Sequence, residues 1–102
     1  MSRELYRYSF PPHVPFEEVE ATLLLAIWGT ESLHGEAQTR LDAGHFLDRD
    51  RRACAIDAGT PVGRDVNRLF VGFLGREFGP ESFRVERLVD PGPSRQAKEV
   101  PA

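Results

Sequence analysis

Apolar positions along this chain switch between two periods, and the switches mark out its elements. Residues 60–79 carry the clearest helical spacing. Val62, Val66, Leu69, Phe70, Phe73, Leu74 and Phe78 recur on one side. Thr60 is suited to cap this helix and Pro61 to occupy its first position, while Arg76 complements the negative end and Gly79-Pro80 stops it. A second helix is predicted over 15–34. Pro15 opens it, and Glu17, Glu18 and Glu20 lie near its positive end. Val19, Leu23, Ala26, Ile27, Thr30 and Leu33 form its inner stripe, which Leu24 and Trp28 widen, and Gly35 is the expected C-cap.

Period two governs the rest. In residues 4–10, Tyr6, Tyr8 and Phe10 point one way and Leu5, Arg7 and Ser9 the other, until Pro11 and Pro12 end the strand. Residues 36–48 read as a strand, with Ala37, Thr39, Leu41, Ala43, His45 and Leu47 on one parity and Gln38, Arg40, Asp42 and Phe46 on the other. A polar turn at 48–51 leads to a strand at 52–57, with Cys54 and Ile56 inward and Ala53 and Ala55 outward. Residues 81–89 supply the last strand, with Phe83 and Val85 inward and Arg84 and Glu86 outward.

Short connections and right-handed crossovers then favour an α+β domain: a four-stranded antiparallel sheet with both helices on one face and the first and third strands central. This order resembles the ferredoxin-like βαββαβ plait over residues 3–89, a likeness of fold that implies no activity. Residues 1–89 read as one domain. Residues 90–102, with three prolines and one valine, cannot offset their ordering entropy and read as a disordered tail.

Composition narrows the function classes. The 102 residues suit a single domain, 40% of them are hydrophobic, and a net charge of -3 argues against a nucleic-acid partner held by electrostatics. Cys54 is the lone cysteine, which rules out an internal disulfide and fits a reducing, cytoplasmic setting. The longest apolar run, 23–28, is far short of a membrane span, and the first ten residues lack the apolar stretch of a leader peptide.

Candidate chemistry is sparse. His13, His34 and His45 have no metal-pair spacing, there is no CxxC, and no cofactor motif is present. Residues 59–63 open a helix, but no lysine follows, so an N-cap turn accounts for them better than a phosphate loop. Acylphosphatases are plait enzymes of this size. Here the first strand runs into Pro11-Pro12 with no glycine, and Asn67, the sole asparagine, falls mid-helix. Gly72 and Gly75 suggest a close helix approach, and His45 opposite Cys54 reads as a core pair.

What remains is the sheet face without helices. With a four-residue loop at 48–51, Leu47 pairs with Arg52, Phe46 faces Ala53 and His45 faces Cys54. The open face then has an apolar centre of Leu5, Phe46, Ala53 and Ala55, rimmed by Arg7, Arg40, Arg84 and Glu86. An apolar centre inside a charged rim is interface anatomy. The expectation is therefore a non-catalytic protein-binding or assembly module. Its binding residues are Arg7, Arg40, Phe46 and Arg84, and its partner is a second copy in a homodimer or another protein. Two alternatives stand beside it. One is a small-molecule-binding protein or small enzyme with a pocket between helices and sheet, using Tyr6, Tyr8, His45 and Cys54. The other is a single-stranded RNA adaptor using Phe46 and the arginines.

Overall fold

The structure, a computed structural model, describes residues 3–90. The elements run β1 (Arg3–Ser9), α1 (Phe16–His34), α2 (Glu36–Asp42), β2 (His45–Asp48), β3 (Ala53–Asp57), α3 (Pro61–Phe78) and β4 (Arg84–Asp90). The described residues form an α+β fold, with three helices and a four-stranded antiparallel sheet in the order β2-β3-β1-β4. β1 and β3 are central, as the sequence predicts. Asp90, read as the first residue of a tail, ends β4, and residues 91–102 lie outside the described residues. Among the described residues no helix is long and apolar enough to cross a membrane.

The two long helices form where predicted. Thr60 caps α3 by accepting from the Gly63 N–H at 2.9 Å, and its hydroxyl donates to the Asp42 carbonyl, tying the start of α3 to the end of α2. α1 ends at Gly35, whose φ of 88° is open to glycine without a Cβ penalty. Gly29 lets α1 approach α3 closely, because a Cβ there would sit 3.0 Å from Leu69.

The core lies between these helices and one side of the sheet. Tyr8, Phe10, Cys54 and Ile56 meet Val19, Leu23 and Ala26 of α1 and Val66, Phe70 and Leu74 of α3. Tyr8 packs edge-on against Phe70 at 4.8 Å, and its hydroxyl donates to Asn67 Oδ1 at 2.6 Å. The polar tip of this fully buried aromatic is thereby satisfied.

Residues 36–48 correct the sequence reading. They do not form one strand. α2 occupies the first half and only His45–Asp48 pairs in the sheet. The alternation of Ala37, Thr39 and Leu41 suggests period two, but Thr39 alone is buried, and Leu41 is 81% exposed. Helix formers and two i,i+4 pairs, Arg40 to Glu36 at 2.7 Å and Gln38 to Asp42 at 2.5 Å, favour the helix instead.

The hairpin register also differs. Leu47 pairs with Cys54 and Phe46 with Ala55, so the four-residue loop is 49–52. It closes with a bond from the Arg52 N–H to the Arg49 carbonyl, and Arg52 takes a positive φ of 54°. The shift is two residues, an even number, so every side chain keeps its expected face. His45 nevertheless lies exposed opposite Ile56 rather than buried against Cys54. In β4, Val85 faces the helix side opposite Tyr8, but the helices do not reach over it and it remains exposed.

Candidate functional site

Antiparallel pairing arranges the uncovered face in rows, because directly opposed residues share a face. The middle row runs Phe46, Ala55, Arg7, Glu86 across β2, β3, β1 and β4. The next row runs Asp48, Ala53, Ser9, Arg84, and the third joins Asp57, Leu5 and Leu88. β3 contributes only alanines to the first two rows, so it forms a trough. Phe46 stands on one bank and Arg7 on the other.

Phe46 is 65% exposed, although it stands on a strand whose neighbour offers it only a methyl group. Two shallow depressions flank it. One, of about 200 Å³, lies among Arg7, Phe46, Asp48, Arg51, Ala53, Cys54 and Ala55. The other, of about 310 Å³, lies among Leu5, Gly44, His45, Phe46, Ala55 and Asp57. Arg7, Arg84 and Glu86 are exposed and make no ion pair among the described residues. Asp48 is held toward the hairpin turn, accepting from the Arg51 N–H at 3.2 Å.

Three of the four expected binding residues, Arg7, Phe46 and Arg84, thus share one face. The fourth does not. Arg40 projects from α2, paired with Glu36, and takes no part in the sheet. At the β1–β4 seam, Arg87 bonds to Glu4 at 2.5 Å and holds its carboxyl below the usual carboxylate range.

Tyr8 and Cys54 of the pocket alternative are directly opposed on β1 and β3, with Tyr6 and His45 in the next row, but Tyr8 and Cys54 are packed into the core. Tyr8 is fully buried and bonded to Asn67, and Cys54 is 2% exposed, with burial pushing its thiol up to about 12. Tyr6 donates to Glu4 at 3.2 Å, and neither depression beside Phe46 is lined by either tyrosine. Among the described residues no group of His, Cys, Asp and Glu is arranged to hold a metal ion. For the RNA alternative, stacking platforms need aromatics on the central strands. On the open face β1 and β3 present Leu5, Arg7 and Ser9, and Ala53, Ala55 and Asp57.

Sequence reasoning missed a second exposed apolar strip. Leu24 and Trp28, assigned to the buried stripe, instead lie with Ala21 and Leu25 on the outer surface of α1, and Trp28 is 56% exposed. Leu33, also expected inside, is exposed. The available signal was that α1 is apolar on all sides through residues 23–28, more than one buried stripe requires. No family model, curated protein or solved structure matches this chain.

Proposed function

We propose that this chain is a non-catalytic protein-binding or assembly module, a ferredoxin-like plait that offers its open sheet face to a partner. The strand order β2-β3-β1-β4 with both long helices on one side supports the plait reading, with α2 as an addition ahead of β2. The observation that carries the function is Phe46. A large apolar ring stands exposed at the edge of an alanine trough, opposite an arginine that makes no ion pair among the described residues. In water that arrangement leaves apolar surface uncovered, and a partner that fills the trough removes it.

The test is the mass of the native particle in its own cell extract, by size exclusion with light scattering. Wild type should run larger than one chain, and Phe46→Asp, which places a charge in the centre of the face, should run smaller than wild type. Equal masses for two folded proteins overturn the reading.

A further inference from the structure

We infer that the partner on the open face is a second copy of this chain, packed face to face about a two-fold axis parallel to the strands between β1 and β3. This rests on the open face being an interface. It follows from the order of groups along its rows.

Such an axis sets β2 of one copy over β4 of the other and β3 over β1, with each row facing itself in reverse. The row Asp48, Ala53, Ser9, Arg84 then places Asp48 opposite Arg84 of the second copy, twice by symmetry. The middle row places Arg7 over Ala55 of the other copy, so the long side chain enters the alanine trough. Arg7, which in the single chain lines the depression beside its own Phe46, turns in the dimer away from the axis, toward the facing Phe46 ring and its own Glu86 neighbour. That separates the two like charges and offers each a cation–π contact. In the third row Asp57 lies across from Leu5, and its carboxylate is turned back to accept from the Gly59 N–H at 2.9 Å.

About this axis Asp48 meets Arg84 and Arg7 meets the small Ala55, while Phe46 lies over Glu86 beside the facing Arg7. An axis perpendicular to the strands would set β2 over β2 and β4 over β4, so Arg84 could meet Glu86 but Asp48 would face only β2 of the other copy, which holds no arginine. Sheets packed face to face lie about 10 Å apart and rotated by about 30°, a gap that arginine and aspartate side chains can bridge. Four strands and three rows cover roughly 20 by 20 Å, so the interface falls at the low end of specific contacts and the dimer is a weak, dissociating one.

The experiment follows dimerisation of the purified full chain by analytical ultracentrifugation from about 1 to several hundred micromolar, with charge reversals. Asp48→Arg alone and Arg84→Asp alone should each weaken association by at least about tenfold, since each sets like charges opposite one another. Mixed in equal amounts, the two variants should form a heterodimer with near wild-type affinity, because both contacts again join opposite signs. Trp28, on the opposite side of the domain, should keep its emission maximum throughout.

Asp48 also supports the hairpin turn and lies 3.8 Å from the Arg51 guanidinium of its own chain, so Ala55→Leu serves as a second variant. It lies outside the turn, fills the trough and should abolish the dimer while the circular dichroism spectrum is retained. If Phe46→Asp dissociates the dimer but the reversals and Ala55→Leu do not, the two-fold packing is wrong and the open face survives as an interface. A wild type that stays monomeric throughout overturns the second copy as occupant, leaving the extract measurement to judge the face itself. Association that survives Phe46→Asp, or that moves the Trp28 emission, overturns both readings.

Discussion

The guanidinium of Arg52 sits 5.9 Å above the ring of Phe16, joining the β2–β3 turn to the start of α1. From there it donates to three backbone carbonyls, those of Phe10, Pro11 and Val14. The segment between β1 and α1 holds two adjacent prolines, and this one side chain satisfies carbonyls that no ladder or helix reaches. Arg52 also accepts from the Phe10 N–H, so the turn and the loop are clamped together.

Removing that clamp should be costly. Bonds from a charged donor contribute about 1.5–3 kcal/mol each, but they are not additive and Arg52 is only partly buried. Arg52→Ala should lower unfolding free energy by about 2–3 kcal/mol in urea titration. Arg52→Gly should lose about 1 kcal/mol less than Arg52→Ala, because Arg52 holds a positive φ of 54° that glycine adopts without strain. Equal losses for the two would show that the backbone conformation carries no cost.

Much of this fold was legible because periodicity reports burial directly. α1, α3 and the alternation of β1 each followed from which residues must avoid water. The parts that were not legible depend on distances through space. Arg52 looked like the first residue of a strand, and nothing local announced that it would reach the carbonyl of Val14. The stretch 36–42 had a period-two pattern in only three apolar residues, too few to outweigh its helix-forming composition. Arg40 left the candidate site for that reason alone. Phe46, Arg7 and Arg84 stayed because the register shift was even. The outer strip of α1 was hidden by the assumption that all its leucines served one core.

Glycines show the same division. Gly72 and Gly75 suggested close packing, yet a Cβ at either position meets nothing within 4 Å. The crowded one is Gly63, where a Cβ would fall 2.0 Å from the Asp57 carbonyl oxygen. There the first turn of α3 presses against the end of β3. Gly63→Ala should cost about 3 kcal/mol or more, since the obstacle is backbone and cannot rotate away. Gly72→Ala and Gly75→Ala should each stabilise by about 0.5–1 kcal/mol, from helix propensity alone. Thermal melts of the three variants check both signs.

Stability should fall at alkaline pH, and the cause is Cys54. Burial pushes its thiol up to about 12, and the Tyr8 hydroxyl, on the directly opposed residue of β1, is raised in the same direction, chiefly by burial. A folded-state pKa above the unfolded value means that the folded chain holds the proton longer. The contribution is complete below the unfolded pKa of about 8.5 and is lost as pH rises toward 12. Each pH unit in that window should remove about 1.4 kcal/mol from the unfolding free energy, more steeply above about 10, where Tyr8 joins. Cys54→Ala costs packing at every pH but should delay the onset of the alkaline loss to the tyrosine range. On the acid side the sign reverses. Glu4, held low by Arg87, contributes above its unfolded value near 4.3, and that contribution disappears as pH falls below it. The same protection should leave native Cys54 unreactive to a thiol reagent at neutral pH. Rapid labelling of the folded chain would mean that the helices open away from β3 far more readily than this packing permits.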